Sequence, residues 1–362
     1  MPSLTPVDIA LFVIFLLVLI LPFKVKRVEE NLEAFLFVMG AASVTVTSKW
    51  SFDLVKLAVE EPVIKGIVPA VLVAGLFFFY GKRPFQGAIQ GILRTVPAPA
   101  FVFAMVVILG LASSVITAII AALFLVEIVN LMPMSRRDKI NLVIISCFSI
   151  GLGAALTPLG EPLSTIAVSK LQGPPYFASF WYLFNQLGVL VIMGVLACGL
   201  FGALYVSGKA AAKRGEKMGD ADDAGSLKDV WIRTIKVYAF VAALFLLGSG
   251  MEEIINKYFT KLPAEILYWL NMVSAILDNA TLTAAEIAPS MSQNQINAAL
   301  MGLLISGGML IPGNIPNIIS AGKLGITSGE WARLGVPMGL VLNAVFFVLM
   351  FIFGFNPRLG IQ

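Results

Sequence analysis

The sequence contains no histidine, which excludes imidazole ligation of metals, histidine-based triads and histidine proton relays. Cysteine is nearly absent. Cys147 and Cys198 both lie in apolar stretches, so two inert buried thiols are expected rather than a disulfide. Charge is scarce as well: 13% of the 362 residues are Asp, Glu, Lys or Arg, against about a quarter in soluble domains. Hydrophobic residues make up 59% and the mean hydropathy is +0.92. Such a chain is an all-α polytopic membrane protein. Its formal charge of +4 calls for no nucleic acid, because short loops use basic residues to set membrane topology. No Gly-x-Ser-x-Gly run and no protease-like pair of intramembrane aspartates is present, so an enzyme is not expected.

What is present is a pair of proline-bracketed interruptions 154 residues apart. The first reads Thr157-Pro158-Leu159-Gly160-Glu161-Pro162, the second Ile311-Pro312-Gly313-Asn314-Ile315-Pro316-Asn317. Proline removes a backbone donor and clashes with the preceding turn, so a helix must unwind there. Irregular backbone at membrane depth is tolerated only inside protein or beside a watery cavity. Paired broken helices in corresponding halves point to a transporter's binding site.

A bilayer core needs about 20 apolar residues in a helix. Full spans are expected at 7–23, 32–48, 62–80, 180–206, 231–250 and 331–353, and Pro-broken ones at 140–171 and 296–323. Two further stretches, 98–133 and 263–291, carry interruptions at Ser113-Ser114-Val115-Ile116-Thr117 and Leu277-Asp278-Asn279-Ala280-Thr281. Both read as re-entrant hairpins, giving about eight spans plus two hairpins. With the hairpins, 18 of the 25 basic residues fall on one side and 7 on the other. That bias obeys the positive-inside rule; letting 98–133 cross would put Arg136, Arg137 and Lys139 outside. Positive residues follow the first span rather than precede it, so it is a helix with its N-terminus outside and not a cleaved signal.

The hydrophilic stretch 207–230 reads as a cytoplasmic linker between two halves. Two helices in 1–61 precede a first repeat, 62–206, and a second repeat fills 231–353, ahead of a tail at 354–362. Each repeat runs helix, amphipathic segment (82–94 or 251–262), hairpin, broken helix, helix. The charge count starts them on opposite sides, which makes an inverted-topology repeat.

Four acids sit at membrane depth, Glu127, Glu161, Asp278 and Glu286, with no basic side chain expected near them. Burying such a charge is expensive, so each is a functional candidate. Each also has a plainer reading. Asp278 could cap the helix after its tip, Glu161 could be a solvated loop residue, and Glu127 and Glu286 could reach headgroups or pair with a neighbouring helix. Asn314, Asn317, Thr157 and Ser164 supply neutral oxygens, which hard cations prefer. Gly160 and Gly313 free backbone carbonyls to turn. The five tryptophans read as interfacial anchors, and Gly335-xxx-Gly339 as a weak packing signal.

The hairpin and broken-helix pair, with Ser274-Ala275-Ile276-Leu277-Asp278-Asn279-Ala280-Thr281 at one tip and Thr157-Pro158-Leu159-Gly160-Glu161-Pro162 in one break, resembles the ion transporter superfamily. That group includes NhaD-type Na⁺/H⁺ antiporters, ArsB-type arsenite permeases and divalent anion/Na⁺ symporters. The chain looks most like its small "predicted cation transporter" branch of prokaryotic proteins. The resemblance covers about residues 62–353. It implies alternating access, a homodimer in a prokaryotic plasma membrane, and a cation site where each tip faces a break. Carried over by position, Ser114, Thr117, Thr157, Gly160 and Glu161 form one half-site. Asp278, Asn279, Thr281, Gly313, Asn314 and Asn317 form the other, with Na⁺ at Asp278, Asn279 and Asn314. The dicarboxylate symporters carry Ser-Asn-Thr at both tips, and this chain has it at neither. Na⁺/H⁺ antiport is therefore the leading expectation, without a cofactor beyond the transported ions. Na⁺-coupled symport of a small carboxylate or oxyanion is the alternative.

Overall fold

A computed structural model describes residues 5–64, 95–210, 227–258 and 262–360, with scattered positions between 68 and 92. The described residues form helices and turns, with no strand among them. The order is α1 (Pro6–Lys24), α2 (Lys26–Glu30), α3 (Leu32–Val46), α4 (Phe52–Ile64), α5 (Ala98–Ile116), α6 (Ala118–Leu131), α7 (Arg136–Ala154), α8 (Pro162–Lys170), α9 (Tyr182–Ala210) and α10 (Leu227–Tyr258). Then come α11 (Ala264–Leu270), a 3₁₀ turn (Asn271–Ala275), α12 (Asn279–Glu286), α13 (Gln293–Gly307), a second 3₁₀ turn (Ile311–Gly313), α14 (Ile315–Leu324) and α15 (Ser328–Phe347), which ends in a π turn (Val348–Ile352).

Among the described residues, four helical segments are long and apolar enough to cross a membrane: Ala98–Ile116, Tyr182–Val206, Thr234–Ile254 and Ser328–Ile352. Shorter apolar helices accompany them at Pro6–Pro22, Glu33–Val46 and Ala118–Leu131. The expected span 62–80 lies mostly outside the described residues, as do the segment 82–94 and residues 211–226 of the linker. One boundary differs from expectation. Residues 251–258 are not a separate amphipathic segment but the continuation of α10. Gly250 does not stop that helix; it packs its bare backbone on Ser43 of α3.

Both proline runs break their helices. α7 ends at Ala154 and α8 starts at Pro162, while α13 ends at Gly307 and α14 starts at Ile315. The two interrupted stretches also divide, α5 from α6 at Thr117 and α11 from α12 at 276–278.

Packing crosses between the halves. α6 lies against α14, and α12 lies against α8. Within the first half, α5 and α9 pack on α7, and hydroxyls stitch the contact: Ser149 Oγ donates to the Val106 carbonyl at 2.9 Å, and Ser113 Oγ to that of Ile150 at 3.0 Å. α3 and α4 pack on α10 at the side of the bundle. α1 is fixed near its start by Asp8, which is fully buried and paired with Lys257. Cys147 and Cys198 are both buried and unlinked.

Candidate functional site

Each break frees backbone carbonyls that need donors. In the first, Ser164 Oγ donates to Ala154 at 3.4 Å and Thr165 Oγ1 to Pro158 at 2.6 Å. In the second, the Asn317 amide nitrogen donates to Gly307 at 2.7 Å and Leu310 at 2.9 Å. Trp331 Nε1 donates to Gly308 at 3.1 Å. Trp331 is fully buried, so it is no interfacial anchor; a neighbouring carbonyl without a helical partner draws the indole inward. Gly335 and Gly339, one turn and two turns beyond it, lie against Met309, whose carbonyl would be 2.4 Å from a Cβ at Gly335.

The residues that start the two half-helices share a conformation. Glu161 precedes α8 with φ −156° and ψ 161°, and Asn314 precedes α14 with φ −153° and ψ 148°. Neither side chain caps its own helix. Both therefore leave the backbone N–H groups at their own helix starts uncapped by their side chains.

The expected first half-site is largely engaged in bracing the chain. The Thr157 hydroxyl donates to the Ser114 carbonyl at 2.6 Å, and Ser114 Oγ donates to Leu111 at 2.7 Å. The Gly160 carbonyl accepts from the Ala118 N–H at 2.9 Å, so the first break does meet the first tip. Thr117 turns the chain with φ 76°, a conformation that costs a side-chain-bearing residue about 1–3 kcal/mol, and its hydroxyl accepts from Ile120 N at 3.4 Å.

Glu161 faces the other half. It is 5% exposed, and neither carboxylate oxygen has a hydrogen-bond partner. Asp278 acts on it electrostatically, and the Asn279 and Asn314 side chains face it without closing a hydrogen bond. Asn279 and Asn314 are buried, and Asn279 Nδ2 lacks an acceptor. Gly151 of α7 makes room for the Asn314 amide, since a Cβ there would lie 2.8 Å from Nδ2. Four of the sequence-derived site residues, Glu161, Asp278, Asn279 and Asn314, thus converge on one place. Thr281 lies in the first turn of α12. Gly313 is pressed between two backbone oxygens, those of Gly307 and Ser274. Asn317 is turned toward the break it braces, with its Oδ1 unpartnered.

The remaining acids divide. Glu127 pairs with a neighbouring helix, its plainer reading, through a basic side chain that was not expected there: Lys323 Nζ of α14 lies 2.8 Å from its Oε1. Lys323 stands in the last turn of α14, which packs along α6 and carries it to the acid. Glu286 is 1% exposed and unpartnered, with Asn271 facing it. Sequence reasoning missed Asn271. Its signal was an amide seven residues before Asp278 in an otherwise apolar run.

Apolar helices of spanning length around a buried polar centre define a multi-pass membrane protein in contact with lipid. Residues 8–353 match the family DUF1646, described as a protein of unknown function, and the chain belongs to that family. No curated protein matches it.

Proposed function

We propose that this protein is a secondary active cation transporter that exchanges Na⁺ for protons by alternating access. The observation that carries the reading is the convergence of Glu161 and Asp278, from different halves of the chain, with the Asn279 and Asn314 amides beside them. The Glu161 carboxylate is buried without a partner and feels the like charge of Asp278, so leaving it un-neutralised is costly. A proton or a small hard cation relieves that repulsion, and the amide oxygens of the two asparagines complete an oxygen-rich shell. Because Na⁺ and H⁺ use the same oxygens, binding of one displaces the other, which is the coupling an exchanger needs.

The architecture supports the same reading. Each half supplies an interrupted stretch and a broken helix, and the starts of the two half-helices have matching geometry. The cross-packing of α6 on α14 and α12 on α8 suits an inverted repeat with two re-entrant hairpins, in which one half moves against the other. The positive helix ends at Glu161 and Asn314 would also attract an anion, as Na⁺-coupled symport requires. The two carboxylates oppose that alternative.

Thermal unfolding across a cation series tests the site, since a ligand that binds only the folded state stabilises it, by about 2.7 kcal/mol at a hundred times Kd. Na⁺ raises Tm of the wild type more than K⁺ or choline, and the rise is lost in Glu161→Gln. Equal stabilisation by all three cations, or a Na⁺ response intact in Glu161→Gln, rejects the proposal.

A further inference from the structure

Glu286 ends α12 and takes no part in the site above. It is 1% exposed, and both of its carboxylate oxygens lack partners. Asn271, fully buried in the 3₁₀ turn after α11, faces it. The Asn271 amide is oriented by its nitrogen, which donates to the Ala299 carbonyl at 3.2 Å and leaves Oδ1 without a donor. Glu286 and Asn271, close enough to interact, thus leave three buried side-chain oxygens without a hydrogen-bond partner.

Among the described residues, no charged side chain of the elements packed on α12 acts on Glu286. α13 carries no charged residue. On α10, Glu252 pairs with Lys49, Lys257 pairs with Asp8, and Glu253 is exposed. On α8, Lys170 is exposed and interacts with Glu252. A bare carboxylate in such surroundings is costly. Its natural complement is a small cation held by carboxylate and amide oxygens.

We propose that Glu286 and Asn271 form a second cation site, at which Na⁺ replaces a proton on the Glu286 carboxylate. Seven residue steps of α12 set this site about 10 Å along the helix from Asn279 at the central site. It lies at the opposite end of α12 from the central site, so it can stage cations for the centre. The inference does not depend on the exchange reading of the central site.

Equilibrium binding of ²²Na⁺ to the purified full-length protein tests it by counting. The wild type binds two Na⁺, Glu286→Gln binds one, and Asp278→Asn binds one. The Na⁺ that remains in Glu286→Gln keeps its affinity within about threefold. Should Glu286→Gln not fold, Asn271→Ala keeps the carboxylate and reads the same site, with one of the two Na⁺ weakened about tenfold. The proposal is overturned by a full wild-type count in Glu286→Gln, by unchanged affinities in Asn271→Ala, or by a wild type holding one Na⁺ that only Asp278→Asn removes. Failure of the central site gives a different pattern: one Na⁺ in the wild type, lost in Glu286→Gln and kept in Asp278→Asn.

Discussion

Lys323 Nζ lies 2.8 Å from Glu127 Oε1, joining the second half-helix to the first interrupted stretch, 196 positions away in the chain. The lysine side chain is 10% exposed and the glutamate 27%, so the pair is only partly screened by solvent. Hydrogen bonds to charged groups in such settings contribute about 1.5–3 kcal/mol. Lys323→Ala and Glu127→Ala are each expected to destabilise by about 2 kcal/mol, and the double variant by clearly less than the sum. Unfolding of the four proteins in detergent measures the coupling.

Asn317 separates bracing from ion binding. Its amide nitrogen serves two carbonyls released by the break, at Gly307 and Leu310. Asn317→Asp cannot donate to either, so it is expected to lower Tm as much as Asn317→Ala does, with about 1–3 kcal/mol lost per stranded carbonyl. A direct ligand role predicts the reverse, an aspartate that folds normally and binds Na⁺ more tightly.

Two glycines nine residues apart give opposite expectations. A Cβ at Gly313 would meet the Gly307 carbonyl at 2.5 Å and that of Ser274 at 2.6 Å, both backbone atoms that cannot swing aside. Gly313→Ala is therefore expected to cost about 1–3 kcal/mol. A Cβ at Gly322, inside α14, meets nothing within 4 Å. Gly322→Ala is expected to gain about 0.5–1 kcal/mol from the helix backbone alone. Paired thermal melts check both signs.

What the sequence announced was local. Proline acts on its own turn, so both breaks and the helix ends beside them were legible, as were the divisions at Thr117 and near Asp278. Candidate ligands were legible as polar residues where none should be free. Their grouping was not. Position along the chain set Glu161 with Ser114 and Thr117, yet its side chain faces Asp278, Asn279 and Asn314, because α8 packs on α12 of the other half. The same long-range packing hid Lys323 as the partner of Glu127 and drew Trp331 into the core. The expected span ended at Gly250, whereas α10 uses that glycine for close contact with Ser43 and continues to Tyr258.

Flux through reconstituted vesicles decides whether the facing carboxylates transport. An outward proton gradient imposed on vesicles carrying the wild type should drive ²²Na⁺ uptake without any added anion, and collapsing the gradient should abolish it. Glu161→Gln and Asp278→Asn should each lose about tenfold or more of that rate, about 1.4 kcal/mol for each decade, while the exposed Asp53→Asn stays at the wild-type level. Uptake at the wild-type rate in both site variants, or Na⁺ entry that requires a small anion and moves no protons, would contradict exchange at Glu161 and Asp278.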